Sequence, residues 1–235
     1  MSDVEFTTVE VLERQDRGTS GWGLKLDAAA AGLTGTYQRP GQYLRVRCPG
    51  GEAVAYLALA SAPTDGSPWE LLLQPGGGAV DEILAHLGGG GSAVEVSGAE
   101  GAGFGLAEQA GRPLLLVAGG SGISALRSVL REVLAAPAAF GPVTLLHGVS
   151  GPAALAYPEE HEGWRAAGIR LLVVVSREAP GWEGARGHVQ DHLAGLDLDP
   201  GASSAFLCGP RAMQDDLRRL LLASGFEADR VRTNY

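Results

Sequence analysis

Gly119, Gly120, Ser121, Gly122 and Ile123 follow directly on an apolar run at 114–118, and that order has chemical meaning. Missing side chains let a ligand reach the main chain, and free N–H groups at the start of a helix point toward it. An anion such as a diphosphate is the ligand such a turn suits. The same spacing also occurs in a plain strand-to-helix turn, so both readings stand on this stretch alone. A second turn, Cys208-Gly209-Pro210, carries a thiol. Ser121 is not a nucleophile elbow, because Ile123 stands where G-x-S-x-G needs glycine and no His–Asp partners are evident. His188 and His192 are four apart, but neither they nor His147 and His161 share a metal spacing with carboxylates, so no metal site is expected.

The elements that must position these residues differ between the halves. Leu126, Val129, Leu130 and Val133 recur at helical spacing after the glycine turn, with Arg127, Arg131 and Glu132 between them. Buried strands are expected at 143–148, 169–176 and 205–207. Helices are expected at 157–167, with Trp164 inward, at 189–193, and at 212–224, with Leu217, Leu220 and Leu221 inward. The chain closes on 231–235. Alternating strands and helices imply a doubly wound parallel sheet. The first half reads instead as short strands at 4–12, 22–26, 43–47, 53–60, 70–74 and 93–97, with one helix at 80–87. Gly/Pro turns between them suggest an antiparallel barrel.

The chain has 235 residues, enough for one large or two small domains. Its 27 acidic and 18 basic residues give a net charge of −9, which argues against nucleic acid or an anionic membrane as the main partner. No apolar run approaches membrane-spanning length, and the acidic, polar start MSDVEFTTVE is not a targeting segment, so a cytoplasmic location is expected. The two cysteines, Cys48 and Cys208, are not expected to pair in that compartment.

A barrel carrying Arg39-Pro40-Gly41-Gln42-Tyr43, then an α/β half with GGSGI and a late Cys-Gly-Pro, resembles the ferredoxin–NADP reductase superfamily. The resemblance covers nearly the whole chain and keeps the motif order. It implies a flavin-binding barrel over 1–108 and an NAD(P)-binding α/β domain over 109–235. The implied activity is an oxidoreductase that passes electrons from NAD(P)H through FAD to a separate redox protein or small acceptor. By that resemblance Gly119, Gly120, Ser121, Gly122 and Ile123 lie under the nucleotide diphosphate. Cys208, Gly209 and Pro210 sit beside the nicotinamide, with Cys208 lining the site of hydride transfer. Ser176 and Arg177 stand where the family often holds the adenosine ribose or its phosphate, and Arg177 reads either as a 2′-phosphate ligand or as a solvated surface charge. Tyr235 reads either as an aromatic stacked on the flavin or nicotinamide or as a chain end without a role. With two cysteines the chain cannot build a four-thiolate iron–sulfur cluster, so a further electron carrier is expected on another chain.

The flavin side departs from the family. Its signature, Arg-x-Tyr-Ser before a small apolar segment and a serine, is replaced by Ala55-Tyr56-Leu57-Ala58-Leu59-Ala60-Ser61. Aligned on Ala60-Ser61, the arginine falls at Ala55, the tyrosine at Leu57 and the serine at Ala58. Tyr56 is one place off, on the opposite face of a strand. The family's serine or threonine at the small helix is replaced by Gly77-Gly78-Ala79-Val80-Asp81. An aspartate there repels a diphosphate by about 1 to 4 kcal/mol per nearby charge, and it also reads as a plain helix N-terminal carboxylate. These departures resemble a branch of the superfamily known from fruit-ripening proteins and bacterial relatives, with an L-A-[IL]-A-S segment. The flavin is then expected on backbone groups near Tyr56, Leu57, Ala58 and Ser61 and near Gly76, Gly77, Gly78, Ala79 and Val80. The alternative is a flavin-free barrel that senses nucleotide or binds a partner.

Overall fold

The computed structural model describes residues 4–234, so Tyr235 and both readings of it lie outside the described residues. The first half holds β1 (Thr7–Asp16), β2 (Trp22–Leu26), β3 (Tyr43–Arg47), β4 (Ala55–Ala58), β5 (Trp69–Leu73), α1 (Ala79–Gly88) and β6 (Ala93–Val96). The second holds β7 (Leu114–Gly119), α2 (Ile123–Ala135), β8 (Val143–Val149), α3 (His161–Ala166), β9 (Arg170–Val175), β10 (Ala185–Arg186), β11 (Ser204–Cys208), α4 (Arg211–Ala223) and β12 (Val231–Thr233).

The first sheet is antiparallel, in the order β4-β3-β6-β1-β2-β5. Its outer strands nearly close it into a barrel, because Leu59 bridges Leu71 and the Ala60 N–H donates to the Glu70 carbonyl at 2.8 Å. Alternation decides which side chains enter: Leu44 and Val46 on β3 and Ala55 on β4 point into the apolar core, where Trp69 meets Tyr37 edge to face.

The second sheet is parallel, in the order β10-β9-β8-β7-β11-β12. Every residue of β7 and β11 is buried, as strands covered on both faces require. Leu126, Val129 and Leu130 of α2 pack with Trp164 on one face, while Leu217 and Leu221 of α4 pack on the other. The expected barrel and doubly wound sheet are both present.

Several boundaries differ. The helix expected at 157–167 starts only at His161, because Tyr157 takes a left-handed turn (φ 58°) ahead of Pro158 and a 3₁₀ turn fills Pro158–Glu160. The segment expected as helix at 189–193 is a 3₁₀ turn, Val189–Gly195. The strand expected over 53–60 is limited to β4, and the two-residue β10 has no signal in the pattern.

The halves are joined around α2. Arg127 is buried and donates to Glu70 (2.8 Å) and to the Ala60 carbonyl (2.9 Å) on the barrel, and to Glu160 (2.8 Å) on its own half. The guanidiniums of Arg127 and Arg17 each lie 4.5 Å from the ring centre of buried Tyr157. Arg131 pairs with Asp65 through two hydrogen bonds. The Pro40-Gly41 turn docks here too: the Gly41 N–H donates to Ser128 Oγ (2.9 Å), and the Asn234 amide donates to the Gly41 carbonyl (3.1 Å).

Candidate functional site

The parallel sheet reverses its order between β7 and β11: β8 and β9 continue to one side, β12 to the other. In such sheets the crevice beyond the strand ends opens at that reversal. The two motif turns lie there, since Ala118 of β7 pairs with Cys208 of β11. A Cβ on Gly122 would stand 2.4 Å from the Cys208 carbonyl oxygen, so only glycine lets the two turns close on each other. His147 fixes the glycine turn from below, its Nε2 donating to the Gly120 carbonyl at 3.1 Å. Burial pushes that imidazole down to about 4, so it is neutral at ordinary pH.

Two cavities meet at this point. The first, about 590 Å³, lies between barrel and sheet. Its barrel wall is Tyr43, Tyr56, Leu57, Ala58, Leu72 and Gln74, and its sheet wall includes Gly119–Gly122, Ser124, Cys208, Gly209, Pro210 and Asn234. The second, about 570 Å³, runs along the strand ends past Gly148, Val149, Ser150, Ser176, His188 and Asp216. Gln74, Gly119, Gly120 and Pro210 border both, so the two form one continuous cleft.

Of the expected residues, Tyr56, Leu57, Ala58, Gly119, Gly120, Ser121, Gly122, Cys208, Gly209 and Pro210 border the first cavity, and Ser176 borders the second. Ile123 is buried as the first residue of α2. Arg177 is exposed, lies outside the lining of both cavities, and makes no ion pair among the described residues.

The barrel strand needs a correction of register. Tyr56 does face away from Ala55, yet the face it occupies is the one that opens on the cleft: Tyr56 is 64% exposed, while Ala55 lies in the barrel core. Tyr43 pairs with Ala58 and Arg45 with Tyr56, so β3 and β4 present Tyr43, Arg45, Tyr56 and Ala58 on that face. Counted from Tyr56, the family's arginine falls on Val54, so that place is apolar in either register. Ser61 does not reach the cleft: it is fully buried, and its Oγ accepts the Glu70 N–H at 3.0 Å.

Gly76, Gly77, Gly78, Ala79 and Val80 also stand outside the lining of both cavities. The Gly76 and Gly77 N–H groups donate to the Asp81 carboxylate at 3.2 and 2.8 Å. Asp81 is thus the N-terminal carboxylate of α1, and it takes two of the loop's N–H donors.

Cys208 is buried, and burial pushes its thiol up to about 12, so it meets the cleft as a neutral SH group. Cys48, in the barrel, is also free. Among the described residues no three histidine, cysteine or acidic side chains converge as a metal site, and no helix is long and apolar enough to cross a membrane.

Sequence reasoning missed Gln74, Asn234 and the β8 end, Gly148–Ser150. The last had a usable signal, since the residue after any parallel strand borders the crevice. Gln74 and Asn234 had none, because they reach the cleft only through the docking of the two halves.

The fold and the continuous cleft at the sheet reversal accompany likenesses to known proteins. The family model described as "Oxidoreductase NAD-binding domain" matches residues 116–219. A fruit protein, pKIWI502, of Actinidia deliciosa is 32% identical over 216 residues, 85% of this chain and 67% of the relative. Ferredoxin--NADP reductase B of Sorangium cellulosum is 37% identical over 183 residues, 73% of each. The solved ferredoxin NADP+ reductase of Neisseria gonorrhoeae, with bound FAD and NADP, superposes with a TM-score of 0.78 at 19% identity over 98% of both chains, a likeness of fold. The chain belongs to the ferredoxin–NADP reductase superfamily, whose members are oxidoreductases that bind FAD and NAD(P)H.

Proposed function

We propose that the cleft is where NAD(P)H meets a flavin, and that the electrons leave to a separate redox protein or small acceptor. The observation that carries this reading is the meeting of the two cavities at the β7/β11 reversal. The second cavity has the strand-end setting of a dinucleotide groove. The first adds an aromatic and apolar wall from the barrel, suited to a flat ring.

Each residue's task follows from its place. The glycine turn Gly119–Gly122 at the start of α2 holds the nucleotide diphosphate, with Ile123 buried beneath it, and His147 keeps that turn in register through Gly120. Ser176 borders the ribose end, with Arg177 beside it as the cation for a 2′-phosphate. Cys208, Gly209 and Pro210 form the floor under the nicotinamide. Tyr56, Leu57 and Ala58 form the opposite wall under the flavin. When bound, the two cofactors supply hydride acceptance and release of electrons singly or in pairs. The protein supplies binding, orientation and exclusion of water. Since burial keeps the Cys208 thiol protonated, its task is to space and orient the reacting ring and not to act as a thiolate. The relatives include a ferredoxin--NADP reductase and a reductase component of phenol 2-monooxygenase, so a ferredoxin or an oxygenase component is the class of acceptor to screen first.

The test is NAD(P)H oxidation with added FAD and an artificial acceptor, with calorimetric titration of NADH and NADPH. Both nucleotides are titrated because Arg177 favours the phosphorylated one. Cys208→Ala should lower turnover by about tenfold or more while nucleotide affinity changes little, as expected for a lost orienting contact. Full turnover in that variant would remove Cys208 from the mechanism. Failure of the wild type to bind either nucleotide would overturn the reading.

A further inference from the structure

We infer that the barrel recognises its flavin by the isoalloxazine ring and not by the diphosphate, so that riboflavin, FMN and FAD bind alike and exchange freely. The inference rests on the flavin reading above and narrows it to a ligand class.

The ring side is built and open. Tyr56 and Ala58 share one face of β4, and Leu72 and Gln74 border the same cavity from the end of β5. Three features of the diphosphate side disfavour an anion. The chain leaves Gln74 at the cleft and reaches Gly76 two residues later, so the loop into α1 is the neighbouring place for a phosphate. There the Gly76 and Gly77 N–H groups are already taken by the Asp81 carboxylate. Glu82 places a second carboxylate in the first turn of α1, so the field at that helix end repels an anion. No cation stands at either register position of the family's arginine, which are Val54 and Ala55.

Arg45 is the one cation cross-strand from Tyr56, and it is engaged. Its Nη2 donates to Glu100 at 2.9 Å, and its guanidinium lies 5.6 Å from the Tyr56 ring centre. Glu100 already offsets its charge, which weakens it as a ligand for a diphosphate. The adenylate of FAD therefore adds little, and the ring carries recognition.

The test is a fluorescence-quenching titration of the wild-type protein with riboflavin, FMN and FAD, repeated with Asp81→Ser, which keeps a capping side chain but frees the loop of its charge. Wild-type dissociation constants should agree within about threefold, and flavin added in excess should be lost on gel filtration. Asp81→Ser should tighten FAD by about fivefold and leave riboflavin unchanged, as one exposed like charge near a phosphate implies. Selective, retained binding of FAD by the wild type would overturn the inference while leaving the flavin reading intact. It would mean that the phosphate finds donors at the start of α1 in spite of Asp81 and Glu82. Rejection of all three flavins would overturn both.

Discussion

The buried imidazole of His147 ties the glycine turn to pH. His147 has no contact with water, and its free base donates to the Gly120 carbonyl. The unfolded chain protonates that ring near 6.5, whereas burial holds the folded one down to about 4. Between those values the unfolded state binds more protons, so acid weakens the fold. The His147 contribution should hold steady from neutrality down to about 6.5, then fall by up to about 3 kcal/mol on the way to about pH 4 and level off below it. Urea midpoints of wild type and His147→Gln against pH check this, since glutamine keeps a donor for Gly120 and should flatten that segment of the curve. An unchanged slope would assign the acid sensitivity to other groups. At this scale the sequence was legible in the α/β half, where glycines and Cys-Gly-Pro mark their own turns. It misled at Tyr56, because aligning a motif on Ala60-Ser61 says nothing about which face of a strand meets the cleft. The side chains themselves settle that point: Ala55 is small and buried, and Tyr56 is large and left outside.

Among the elements, the Pro40-Gly41 turn does more than feed β3. Gly41 has φ +91°, and a Cβ there would stand 2.5 Å from the Phe104 ring. Its N–H and carbonyl both leave the barrel, to Ser128 of α2 and to Asn234 beyond β12. Gly41→Ala combines left-handed strain with a ring clash and should cost about 2 to 3 kcal/mol, measured by chemical denaturation. A loss under about 0.5 kcal/mol would show that the turn relaxes without harm. The long periodic helices and the buried strands of the parallel sheet could be read from the chain, because each carries its apolar spacing within itself. The short elements could not. β10 has two residues, and α3 is cut back by a left-handed Tyr157 that its neighbours on both halves hold in place.

At the scale of the molecule, barrel and sheet share a polar seam as well as an apolar one. Arg127 is the centre of the seam, with its charge met by Glu70 across the interface and by Glu160 beside it. Arg127→Met removes the cation and leaves two partly wet carboxylates, with side chains 20% and 25% exposed, so a loss of about 3 kcal/mol is expected, at the low end for a broken buried pair. Calorimetry should show one transition in the wild type and a broader or split one in the variant. A variant that unfolds in one sharp step with unchanged midpoint would show that the apolar contacts alone join the halves. The walls of the first cavity belong to different halves, with Tyr56 and Ala58 on one side and Gly119, Gly122 and Cys208 on the other. Any ligand that touches both walls is therefore a clamp. At a free concentration about a hundred times its dissociation constant, it adds about 2.7 kcal/mol to their association. By reciprocity, the fraction of molecules in which the halves are seated together scales the apparent affinity. Arg127, which borders neither cavity, is thereby part of how tightly the cleft holds what enters it.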